Sequence, residues 1–114
     1  MWVSVSPNVI NTQFKISMNA YYIISYDIDD MEAFQQYPPR AVPLINEYGG
    51  EVLVSDTDAI AVEGKAKQMN AIVVFPSQEA PLACYRDPRY SEVKKLRINS
   101  TSNVSMILAK AFQK

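Results

Sequence analysis

Nothing restricts the folding choices of this chain more than Ala20–Asp30, AYYIISYDIDD. Ala20 to Ile28 is aromatic and β-branched, which predicts a strand. Side chains alternate along a strand, so Tyr22, Ile24, Tyr26 and Ile28 share one face, and Tyr21, Ile23, Ser25 and Asp27 the other. The first set is bulky and continuous, as a face covered by helices requires. The second runs from apolar to polar. Asp29, with Glu32 three residues later, predicts a helix start close to a capping box.

The apolar positions that follow, Met31, Phe34, Tyr37, Ala41, Leu44 or Ile45, and Tyr48, recur at helical spacing. Pro38 and Pro39 lack the N–H a continuous helix needs, so two helical pieces are expected, broken near Gln36–Pro38. Gly49–Gly50 ends the second piece. Glu51–Ser55 reads as a strand, Asp56–Asp58 as a turn, and Ala59–Glu63 as an extended arm. Asn70–Phe75 is a further strand. Ser77 is the expected N-cap of the next helix, with Pro81 in its first turn. Asp87–Pro88 restarts the helix, with Tyr90, Val93, Leu96 and Arg97 as its inward stripe. Asn99–Asn103 reads as a loop and Val104–Phe112 as the last strand.

The order strand, helix, strand, strand, helix, strand is βαββαβ. It predicts an α+β, ferredoxin-like antiparallel sheet with both helical segments on one face. The other face carries Tyr21 and Ile23, with Ile72 and Val74, and is too apolar to leave in water. Pairing two such faces gives a homodimer with a central cavity, a dimeric α/β barrel. One domain is expected over residues 19–114, preceded by a weakly structured extension over 1–18. Within that extension the alternation of Trp2–Ser6 suits an added edge strand, and Met18 suits a natural start.

Composition removes whole classes of function. The chain has no histidine and one cysteine, Cys84, which excludes Ser-His and Cys-His nucleophile pairs and argues against zinc. A net charge of −1 gives no general attraction to nucleic acid or anionic lipid. No apolar run is long enough for a membrane span, and residues 1–18 lack the pattern of a signal peptide. A cytoplasmic protein without a cofactor is the expectation.

Several stretches together carry a resemblance: AYYIISYDIDDMEAF, the VPLINEYGG of Val42–Gly50, VEG at Val62–Gly64, VVFPSQEA at Val73–Ala80, and YRDPRYSEVKKLR at Tyr85–Arg97. They resemble the domain of unknown function 1330 family over roughly residues 19–112. Two departures are the Pro38–Pro39 pair and Lys65–Lys67, where the family often has a tryptophan. The resemblance implies a dimeric α/β barrel of the ferredoxin-like group and no particular activity. Neighbouring families include cofactor-independent monooxygenases, haem-degrading enzymes and lactone isomerases. The absence of histidine disfavours the haem-degrading type.

The candidate acid–base residues are Asp27 and Glu63. Asp27 lies on the expected cavity face, where desolvation would raise its pKa; the alternative is a solvated strand end. Glu63, in an apolar setting, needs a partner, which Arg40 or Arg97 would supply. Tyr21, Ser25, Arg40 and Arg97 are the candidate ligand-binding residues, although interface packing also accounts for Tyr21. Five of the eleven basic residues fall between Arg86 and Arg97, a pattern that a solvated helix face explains as well as an anion site does. Cys84 reads as a small buried hydrophobe. Two functions remain: a cofactor-independent enzyme acting on a small anionic or enolic metabolite in the barrel cavity, or a non-catalytic dimeric binding module.

Overall fold

The computed structural model describes residues 18–113. The expected extension lies outside the described residues apart from Met18. The elements are β1 (Ala20–Ile28), α1 (Met31–Phe34), α2 (Pro38–Glu47), β2 (Glu51–Asp56), β3 (Met69–Phe75), α3 (Glu79–Arg86), α4 (Pro88–Ile98) and β4 (Thr101–Lys110). The strands form one antiparallel sheet in the order β2-β3-β1-β4. This is the ferredoxin-like βαββαβ arrangement expected from the element order. β1 is central because it is apolar on both faces over most of its length.

The helical break falls where the proline pair places it. Pro38 and Pro39 occupy the first two positions of α2, where the missing N–H groups would have had no helical partner. The cap of α1 is Asp30 rather than Asp29: the Asp30 carboxylate accepts from Ala33 N at 3.0 Å. Asp29 instead donates its N–H to Ser100 O and accepts from Ser102 Oγ, tying the end of β1 to the start of β4. Asp87 caps α4 as expected, accepting from Arg89 N, while the cap position of α3 is Gln78, one residue after the expected Ser77, whose Oγ still accepts from Ala80 N in the first turn.

Two boundaries differ from those expected. Ala59–Glu63 is not a strand, and residues 57–68 cross as an irregular segment with Ile60 and Val62 exposed. The alternation there has no neighbouring strand to pair with, and pairing is what makes a strand. Conversely, β4 begins at Thr101, inside the polar run expected as a loop. Thr101 and Ser102 pair with Ile28 and Asp27, and the ladder then shifts register at a bulge. Asn103 sits there at a φ of 54°, a conformation asparagine tolerates better than most residues.

All four helices cover one face of the sheet. Tyr22, Val73, Phe75 and Cys84 form one core cluster, and Tyr26, Phe34 and Met69 a second. Ala41, Leu44 and Tyr90 join α2 to α4. The helix-covered side of β1 is therefore the Tyr22, Ile24, Tyr26, Ile28 set. The opposite face stays open and exposes Ile23, Val54 and Ile107. Among the described residues no helix is long and apolar enough to cross a membrane.

Candidate functional site

Under the helices the packing leaves room. A cavity of about 100 Å³ lies between the sheet and α1–α2, with Tyr26, Phe34, Tyr37, Met69 and Arg97 on its walls. Its half-exposed and exposed liners, Pro38, Val42, Val52 and Ser55, mark the mouth at the α2–β2 edge. A second lobe of about 40 Å³ lies beside Tyr22, Cys84 and Tyr90. The two share Ile24, Tyr37, Ile45, Val73 and Met106, so they abut.

Arg97 stands out in this setting. It sits in the last turn of α4 on the inward stripe, two turns beyond Tyr90, and only 6% of it is exposed. Its guanidinium lies 5.9 Å from the Tyr26 ring and 6.0 Å from the Tyr37 ring. Cation–ring attraction and the negative end of α4 both favour the charge there. Burial pulls its pKa down, but the phenols of Tyr37 and Tyr90 outweigh this and the net direction is up. No carboxylate lies within ion-pair distance of it among the described residues. A buried, charged guanidinium on an apolar cavity wall thus has only rings and phenols for company.

The phenols form a connected set. Tyr37 and Tyr90 share a 2.6 Å hydroxyl–hydroxyl hydrogen bond. Burial first, then Tyr90, pushes Tyr37 well above the ordinary phenol pKa. Tyr26 is pushed up to about 12, by burial, with Arg97 opposing. Tyr26 and Tyr37 are therefore neutral hydrogen-bonding groups at ordinary pH, not bases. The spacing of α2 and α4 that brings Tyr37 to Tyr90 is held from outside. Tyr48 Oη donates to Asp87 at 2.8 Å, and Arg89 bridges Asp87 and Glu47. Arg89 and Tyr48 together hold the Asp87 carboxyl well below its usual range.

The buried phenols set an alkaline limit. Tyr22, like Tyr26, is pushed up to about 12, chiefly by burial. An unfolded phenol loses its proton near 10, so the folded state holds these protons more tightly. Their stabilisation is complete below about pH 10 and is lost as pH rises through 12. Thermal melts should show a midpoint indifferent to these groups up to about pH 10 and falling beyond it. Phenolate absorbance should rise with the unfolding step. Early, non-cooperative titration of every tyrosine would contradict the burial described.

The residues singled out from sequence are spread over both sides of the sheet. Tyr21, Ser25 and Asp27 lie on the open face, in register with Val74 and Ala109, Asn70 and Ser105, and Ser102 respectively. A shallow apolar depression spans Tyr21, Ile23, Ile72 and Ala109 there. Asp27 accepts from Asn103 Nδ2 at 2.8 Å and from Gln68 N at 3.4 Å. These bonds, Asn103 first, lower its pKa, opposite to the rise expected from desolvation. Glu63 is exposed in the 57–68 segment and Arg40 on the surface of α2. The expected Glu63 pairing with Arg40 or Arg97 does not form, because Arg97 is buried on the helix side and Glu63 lies out in the loop. Of the six candidates, only Arg97 reaches the cavity. Tyr26, Tyr37 and Tyr90 read from sequence only as core positions. The signal for them was Arg97 itself, a charge on an inward helical stripe.

A four-stranded antiparallel sheet with one helix-covered face defines a ferredoxin-like α+β domain, here with a cavity beneath the helices that Arg97 lines. The chain belongs to the family described as domain of unknown function (DUF1330), which matches residues 19–112. No curated protein matches it. Among solved structures it is similar to a protein of unknown function from Rhodopseudomonas palustris (TM-score 0.73, 19% identity, 98% of each chain covered). A dimeric ferredoxin-like protein of unknown function from Bacteroides fragilis is similar at TM-score 0.60, with 7% identity over 84% of this chain and 99% of that one. A putative antibiotic biosynthesis monooxygenase from Nitrosomonas europaea is similar at TM-score 0.62, with 12% identity over 84% of this chain and 92% of that one. At these identities the likeness speaks for the fold.

Proposed function

We propose that this protein is a cytoplasmic homodimer that binds a small anionic metabolite in the cavity between sheet and helices. The observation that carries the reading is Arg97. Isolating a charge from water is costly unless something pairs with it, and an anion entering from the α2–β2 edge would supply the pair. The lining offers a guanidinium and phenol hydroxyls but no carboxylate. It therefore suits a ligand that brings its own negative charge, a carboxylate or an enolate. Fixed positive charge and O–H donors are also what lowers the energy of a developing enolate. Among the described residues no base lines the cavity to take the proton that enolate formation releases, so the cavity supports binding of a carboxylate or a ready-formed enolate. In that scheme Asp27, Glu63, Tyr21, Ser25 and Arg40 stand outside the binding shell.

Dimerisation rests on the open sheet face. Ile23, Val54 and Ile107 are 48%, 39% and 56% exposed on it, beside Tyr21, Ile72 and Val74. A second copy covering this face removes that apolar surface from water, and the dimeric description of the Bacteroides fragilis protein is consistent with it. Ile107→Lys should leave the fold intact and weaken the dimer by about 30-fold to several thousandfold, the effect of the roughly 2–5 kcal/mol that an unpaired interface charge costs. Sedimentation equilibrium would measure it. A wild-type monomer at micromolar concentration, or an Ile107→Lys dimer of unchanged strength, would remove this face as the interface. For the site, calorimetric titration with small carboxylates should show binding. Its complete absence for acids of every size tried would defeat the anion reading.

A further inference from the structure

The two lobes differ in a way that defines the ligand beyond its charge. Arg97 lies on the wall of the larger lobe only. The smaller one, beside Tyr22, Phe75, Pro81 and Cys84, has no charged side chain on its walls. Its polar groups already have partners: Tyr22 Oη donates to Pro81 O at 3.1 Å, the Cys84 thiol is directed at Leu44 O, 3.9 Å away, the Tyr37 and Tyr90 hydroxyls bond each other at 2.6 Å, and Tyr85 Oη accepts from Lys94 Nζ at 3.3 Å. Burial raises the Cys84 pKa, so the thiol is protonated and adds no charge to the lobe. The smaller lobe is an uncharged, largely apolar recess beyond the shared Tyr37 and Met106 from Arg97.

Size sets the second limit. Apolar cavities of about 150 Å³ hold one benzene ring. The larger lobe, about 100 Å³, and the smaller, about 40 Å³, together approach that volume. Neither lobe admits a fused-ring or long-chain molecule without rearrangement of the core.

Resting on the anion site proposed above, we infer that the ligand is a monocarboxylate, or the equivalent enolate, of a single-ring or short branched-alkyl body. Its negative group meets Arg97 and its distal carbon atoms occupy the recess beside Cys84. A dicarboxylate is rejected, because its second charge would have to be desolvated in the apolar recess.

The test uses benzoate, para-methylbenzoate and terephthalate on the full-length protein, by titration calorimetry. Para-methylbenzoate should bind about fourfold tighter than benzoate, the effect of burying one methyl group. Terephthalate should bind at least tenfold more weakly than either. In Cys84→Leu, which fills the recess, the ratio of para-methylbenzoate to benzoate affinity should fall to one or below. Val73→Ala, which widens the boundary between the lobes, should tighten binding of para-ethylbenzoate relative to wild type, and serves should Cys84→Leu fail to fold. If no carboxylate binds, the anion site itself is refuted. If benzoate binds but the methyl group brings no gain, or terephthalate binds as well as benzoate, the anion site stands and the apolar recess is refuted.

Discussion

Arg97→Met is expected to lower the melting temperature of the ligand-free protein and to remove carboxylate binding. Both effects follow from losing the guanidinium. Burial opposes its charge, but its attraction to and hydrogen bonds with Tyr37 and Tyr90 outweigh that cost and leave its pKa raised. The Tyr26 and Tyr37 rings, at 5.9 and 6.0 Å, add about 0.5–2 kcal/mol, and the end of α4 about 1 kcal/mol or less. Methionine keeps the apolar stem but takes the donor away from the phenol oxygens, a cost of about 1–3 kcal/mol. In a domain of this size each kcal/mol moves the midpoint by about 4–8 °C. Binding loses a charge-assisted hydrogen bond, about 1.5–3 kcal/mol or roughly ten- to 150-fold in affinity. Scanning calorimetry with and without benzoate reads both. A higher melting temperature in Arg97→Met would mean that the phenols do not compensate the buried charge, and an unchanged benzoate affinity would remove Arg97 as the anion's partner.

Gly50→Ala should be the most damaging single-methyl change in the chain. Gly50 is buried where α2 hands over to β2. A Cβ there would lie 2.6 Å from Ile45 Cγ2 and 2.6 Å from Phe75 Cε2. Phe75 is 1% exposed and packed edge-on against Tyr22, so the ring has nowhere to go. Overpacking of this kind costs about 1–3 kcal/mol, occasionally more. Ile45 lines both lobes, so carboxylate affinity should fall with stability. Gly64→Ala is the control. Gly64 has a positive φ, 76°, but a Cβ there meets nothing within 4 Å. Its cost is the left-handed backbone alone, about 1–2 kcal/mol. Urea unfolding should place the Gly50→Ala midpoint clearly below that of Gly64→Ala. Equal midpoints would mean that the α2–β2 seam is looser than described.

Much of the fold is legible in the residues themselves. The alternation in Ala20–Ile28 assigns each β1 side chain to its face, because a strand has only two faces and one set is continuous. The proline pair locates the helical break, and Ser77 and Asp87 locate two helix starts, since these residues act through local geometry. What escapes is non-local. The polar Thr101–Asn103 run is strand because Ile28 and Asp27 lie opposite it, and Ala59–Glu63 is not because nothing does. Asp27 matches a base in type and face, yet the bulge at Asn103 binds its carboxylate and lowers its pKa.

The sequence by itself determined the order of elements, the two-sided character of β1, and that any chemistry would proceed without histidine. It also placed Arg97 on an inward stripe, without saying what it faces. Only the tertiary structure decided that Tyr26, Tyr37 and Tyr90, from three separate elements, converge on that guanidinium, and that a cavity lies beneath the helices. The physical reason is that a periodic pattern reports which side of an element is buried, whereas a cavity is the space left between elements, set by how α2 and α4 seat on the sheet.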